Sequence, residues 1–279
     1  MAIETTKGRG PRFYFDTADP SVKYPGVTSI LDTLSKPSLP NWYARRTAEL
    51  AVDSLGFVGE MADRGGREAA VQYLAGAARR YTRDRADIGS EAHDMFERMI
   101  RGQRVGYVSR DMEPFKRHFG EFLDTVQPEL VRAEEVAWSD RHAYAGSFDA
   151  TLRLRLDDRG RPDPQGDSAL VIADWKTGRN IYPTVALQMS AYAHADVVVA
   201  PDGQRAPMPV YDGACVLHIT ADGWDFMPVR IDSEDVFSTF LHLRAVFDWE
   251  REISKTVIGD SIAGGDAGFV TGTQRRGKR

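Results

Sequence analysis

Ala169-Leu170-Val171-Ile172-Ala173-Asp174-Trp175-Lys176 is an apolar run that ends in an acid, an aromatic and a base. A short run of this kind, bounded by turn-forming residues, suits a strand inside a sheet whose two faces are both covered. Side chains alternate across a strand, so Asp174 and Lys176 point to one face and Trp175 to the other. Taken alone, such a pair is an ordinary ion pair closing a strand. Its neighbours in the chain give it a further meaning.

Gly146-Ser147-Phe148-Asp149 opens the preceding apolar segment, in which Leu152, Leu154 and Leu156 continue one face of an alternating pattern. The intervening stretch 157–168, DDRGRPDPQGDS, is built of turn formers. If the two segments pair as a hairpin across it, Asp149 comes level with Asp174. Two carboxylates then converge, which is costly unless a cation stands between them, so the pairing favours a divalent metal. Upstream, His93 falls on a helical stretch whose residues Gly89, Ser90 and Ala92 permit close approach to a neighbour, and its imidazole could be a further ligand. Downstream, Gln188 and Tyr192 stand at i and i+4 on one helical face, where amide and phenol can hydrogen-bond phosphates or bases, or simply pack.

The ordered set GSEAH (89–93), Glu134-Glu135, GSFD (146–149), ADWKTG (173–178) and QMSAY (188–192) resembles the RecB-like branch of the PD-(D/E)XK nucleases, including phage-type recombination exonucleases. The resemblance covers about Gly89 to Ala195, and VTSIL (27–31) extends it more loosely. It implies an α/β restriction-endonuclease-like core, a central mixed sheet of about five strands flanked by helices, behind a helical N-terminal part. It also implies that His93, Asp149, Asp174 and the backbone carbonyl of Trp175 hold Mg²⁺ or Mn²⁺. Lys176 would orient and activate the attacking water, while Gln188 and Tyr192 position the DNA strand. Glu135, or in second place Glu134, would add a contact outside the metal's own ligands; the sequence does not choose between them. The implied activity is a metal-dependent DNA exonuclease in phage recombination or end processing. An endonuclease on the same fold and a catalytically silent DNA-binding protein are the alternatives, and a single-strand annealing protein or helicase is the implied partner. Some relatives carry an iron-sulfur cluster on four cysteines, whereas this chain has only Cys215, so no cluster is expected.

Around this set, residues 1–24 read as a loose arm with Lys7, Arg9 and Arg12, and residues 25–128 as helical. Within the latter, helices are expected over 27–34, 42–54, 66–81, 89–100 and 112–126. The arginines at 79, 80, 83 and 85 form either a DNA-facing patch or, with Asp84 and Asp87 among them, a solvated helix end. The core, 129–258, holds strands at 130–138, 146–156, 169–175, 213–220 and 224–231, and a helix from Pro183 to about Ala195. It closes with a helix capped by Asp232 or Ser233 that buries Val236, Phe237, Phe240, Leu243 and Phe247. The glycine-rich stretch 259–279, ending QRRGKR, is expected to be disordered, either solvated or touching phosphates.

A net charge of −5 is unlike that of a protein that coats nucleic acid, but acidic metal ligands make an enzyme acting on DNA compatible with it. No apolar run reaches the roughly 18 residues of a membrane span, and one cysteine suits a reducing compartment. These features lead to the expectation of a cytoplasmic protein, in the host cytoplasm if phage-encoded. Neither a GxSxG elbow, a phosphate-binding P-loop nor HExxH is present.

Overall fold

The computed structural model describes residues 3–263 apart from positions 7, 9, 232 and 233. In chain order these form β1 (Ile3–Thr5), β2 (Phe13–Asp16), β3 (Asp19–Pro25), α1 (Val27–Leu31), α2 (Leu39–Asp53), α3 (Leu55–Ala75), α4 (Ala77–Ile100) and α5 (Glu113–Val126). Then follow β4 (Glu129–Ser139), β5 (Tyr144–Leu156), β6 (Asp167–Lys176), α6 (Thr184–Ala193), β7 (Val197–Val199), β8 (Arg205–Pro207), β9 (Gly213–Ile219), β10 (Trp224–Val229) and α7 (Glu234–Arg251). The class is α+β.

The expected meander β4–β5–β6 is the centre of a seven-stranded sheet ordered β10-β9-β6-β5-β4-β7-β8. All its pairs are antiparallel except β6 with β9, so the sheet is mixed. Parallel pairing requires a crossover, and α6 lies within the connection between β6 and β9. Alternation along β6 divides two cores: Ile172 joins α1, α6 and α7 on one face, and Val171, Ala173 and Trp175 join α4 and α5 on the other. The second face is aromatic, with Phe96 stacked on Phe119 at 4.4 Å and Phe119 edge-on to Trp175 at 5.7 Å. Such pairs contribute about 0.5–1.5 kcal/mol each beyond the area they bury. Cys215 is buried in this core, and burial pushes its thiol up to about 12. No helix among the described residues is long and apolar enough to cross a membrane.

Three expectations are corrected. The N-terminal stretch read as a loose arm is instead a three-stranded antiparallel sheet, β1-β2-β3. Its own apolar pattern is too short to announce a strand; its stability comes from the large sheet, against which Ile3 and Tyr14 pack at Trp138, Ala145 and Val199. The main sheet has seven strands rather than five, because β7 and β8 are three residues each and leave no readable period. Finally, Gly89 does not begin a helix: α4 runs unbroken through it, and the preceding helix stops at Gly76. The expected cap at Asp232 or Ser233 and most of the 259–279 tail lie outside the described residues. Of the five side chains expected to be buried on the last helix, Phe240 and Phe247 are fully buried and the others half-buried.

Gly146 shows how tightly the site end of the sheet is packed. A Cβ placed on it would stand 2.5 Å from Cε1 of Tyr192 and 3.1 Å from Cγ2 of Val27. Gly146→Ala is therefore expected to destabilise the fold by about 1–3 kcal/mol, as overpacking of a rigid core does. Urea unfolding checks this; an unchanged midpoint would show that α1 and α6 can yield without cost.

Candidate active site

The register of β5 and β6 pairs Ala150 with Ala173, so the next residues out, Asp149 and Asp174, stand opposite each other where the β5–β6 ladder ends. The ladder is disturbed there. Glu134, on the neighbouring strand, has φ +56°, a left-handed conformation rare for a residue with a side chain. Beyond this level the side chains of β5 change faces: Ala150, Leu152 and Leu154 enter the aromatic core, whereas Phe148 enters the other, beside Tyr192. Asp149 sits at the crossing and so reaches groups on both sides.

One oxygen of Asp149 lies 2.9 Å from Nδ1 of His93 on α4, and the other accepts the backbone N–H of Trp175. With a carboxylate as partner, Nδ1 carries the proton and donates, leaving Nε2 with no hydrogen-bond partner among the described residues. Burial alone would lower the His93 pKa; the hydrogen bond and charge of Asp149, with Asp174 behind it, hold it above its ordinary value. The close approach that small residues promised is present: a Cβ on Gly89 would be 3.3 Å from Oγ1 of Thr177, just after the Asp-Trp-Lys run.

Asp174 is 4% exposed. Its Oδ1 accepts a hydrogen bond from Nε2 of Gln188 at 3.1 Å, and its Oδ2 has no aligned hydrogen bond but forms an ion pair with the Lys176 ammonium. Burial raises its carboxyl to about 6; Lys176 and His93 pull it down, while the Asp149 charge pushes it up. Gln188 also donates to the Tyr192 hydroxyl at 3.1 Å, and both side chains are buried. The buried amide thus bonds Asp174, and the phenol accepts from the amide.

The two glutamates separate clearly. Glu135, first in the expected order, is buried and bonded to Arg132 at 3.2 Å. Glu134, an exposed residue, lies within electrostatic reach of Asp149, Glu97 and Asp94. Its carboxyl is raised to about 7, first by desolvation and then by those like charges, although the residue as a whole keeps solvent contact. Sequence reasoning gave it second place because a positive φ leaves no trace in residue types. Glu97 was passed over altogether; its spacing at i+4 from His93 was the available signal. Arg101 ties it down, bonding Glu97 at 2.9 Å and the Ala133 carbonyl at 3.3 Å, and so fastens α4 to β4.

Among the described residues no three His, Cys, Asp or Glu groups already surround a common point as metal ligands. The donor set nonetheless fits a hard divalent cation: two facing carboxylates, an imidazole, and a buried Asp174 oxygen satisfied only by an ammonium. No protein-family model matches the chain, and no curated protein matches it significantly.

Asp174, Glu134 and His93 all bind protons more readily in the folded protein than their ordinary values would give. Stability from such groups is present below the ordinary values and lost as pH rises through the folded ones. The thermal midpoint of the chelator-treated protein is expected to fall from about pH 4.5 to about pH 7.5, and millimolar Mn²⁺ to remove much of that fall. A midpoint that rises over this window would mean that the carboxylates are not crowded in solution.

Proposed function

We propose that this protein is a divalent-metal-dependent deoxyribonuclease of the RecB-like PD-(D/E)XK type, acting on DNA ends. The observation that carries the reading is the meeting of Asp149, midway along β5, with Asp174 and Lys176 at the end of β6, with His93 of α4 bonded to Asp149. Support also comes from the sequence order of these residues, which the resemblance to that branch implies.

Asp149, Asp174, His93 and the Trp175 carbonyl would hold Mg²⁺ or Mn²⁺, which supplies an acidified water and neutralises charge on the phosphate. The chain's own residues do the rest. The Trp175 N–H and His93 fix Asp149 from two directions, so its oxygens are preorganised. Gln188 does the same for Asp174, and Tyr192 for Gln188. Lys176, one third exposed, brings a positive charge to the mouth of the site, where it can orient water and stabilise a developing negative oxygen. With Nδ1 of His93 bonded to Asp149, Nε2 is the nitrogen left to ligate the cation. The aromatic core behind Trp175 keeps the strand end rigid.

Incubation with linear and circular duplexes, with Mg²⁺ or with chelator, tests this directly. Linear DNA is expected to disappear only with metal, and circles to persist. Asp174→Ala, Asp149→Asn and Lys176→Ala should each slow cutting on the order of a hundredfold or more, with binding measured in chelator largely retained. Wild-type rates in any of the three would remove that residue from the site, and cutting of circles would favour an endonuclease.

A further inference from the structure

Catalysis as proposed uses only the C-terminal half of α4. The N-terminal half carries Arg79, Arg80, Arg83 and Arg85 against Asp84 and Asp87. Two of these arginines are engaged within the fold. Arg80 donates to the Tyr73 carbonyl at 2.8 Å and lies over the Tyr73 ring, and Arg85 lies over the ring of Tyr81. Arg79 and Arg83 are exposed and form no ion pair with a described residue, Asp87 at i+4 included.

Their placement on the helix is not random. Arg79, Arg83, Ser90, His93 and Glu97 follow the order i, i+4, i+11, i+14, i+18, so all share one face of an unbroken helix. The rest of the helix is packed: Tyr81, on the opposite side, meets Trp42 of α2, and Phe96, on one flank, meets Phe119 of α5. At 1.5 Å per residue, Arg83 stands about 15 Å and Arg79 about 21 Å from His93 along the axis. At the 3.4 Å rise of a stacked strand, these distances correspond to about four and six nucleotides.

The face thus runs from two free guanidiniums to the acidic end at His93, Asp94 and Glu97. A polyanion is attracted to the first and repelled by the second unless a cation is present there. We propose that Arg79 and Arg83 form a phosphate track that seats a DNA strand about four to six nucleotides from the reacting bond, with α4 as a rigid spacer between track and site. The proposal rests on the nuclease reading for what happens at the far end of the helix, but binding to the track does not require cutting.

The test uses the full-length protein, in chelator, with a fluorescent single strand of about 30 nucleotides, read by anisotropy. Arg79→Glu/Arg83→Glu is expected to weaken binding on the order of tenfold at low salt. Arg79→Ala/Arg83→Ala is expected to lower the slope of log affinity against log salt by about 1.4, as loss of two single-strand phosphate contacts would. Arg79→Lys/Arg83→Lys should restore most of the binding, which separates charge from a folding defect. With Mg²⁺, the alanine pair should raise KM on the long strand while kcat holds, and the KM ratio should shrink on a strand shorter than about four nucleotides, which cannot span site and track. Unchanged affinity and salt slope in the alanine and glutamate pairs would overturn the track whatever the cutting assays show. A wild-type protein that binds through these arginines and cuts nothing would support the track and defeat the nuclease reading.

Discussion

Two acidic side chains facing each other across β5 and β6 are the constraint around which this end of the molecule is organised. Like charges in a buried place repel strongly, and the fold answers with fixed partners: a backbone N–H and an imidazole for Asp149, an amide and an ammonium for Asp174. Those partners come from the sheet, from α4 and from α6. The arrangement therefore depends on both layers of helices staying in register with the strands. That dependence explains the two cores, since the aromatic one fixes Trp175 and α4, and the aliphatic one fixes α6.

The central hairpin was legible because its physics is local. Apolar alternation in 146–156 and 169–176, separated by a run of turn formers, specifies pairing and register together, and register puts Asp149 beside Asp174. The close approach of the His93 helix was also legible, since the small residues Gly89, Ser90 and Ala92 announce it. What was not legible depended on distant partners. The three N-terminal strands gain their order from Trp138 and its neighbours, more than a hundred residues away, so residues 1–24 look featureless by themselves. Gln188 and Tyr192 were placed correctly on one face, but only the packing of α6 over β6 shows that this face looks inward.

Glu134 marks the boundary of what residue types can convey. Its left-handed backbone belongs to the point where the side chains of β5 change faces opposite it, and nothing in the dipeptide Glu134-Glu135 selects it. That change of faces in turn lets Asp149 belong to both faces of the sheet. A strand with undisturbed alternation would point that carboxylate to one side only, and α4 could not have reached it.

Cys215 has a practical consequence. It is the chain's single thiol, 9% exposed where it lines an open cavity beside Phe226 and Pro228, and held protonated at neutral pH. Because the thiolate is the reactive form, this thiol competes only slowly for a maleimide. A thiol introduced on an exposed helix position would take a dye or spin probe well ahead of it, which opens distances between the arginine-bearing end of α4 and a labelled oligonucleotide to measurement.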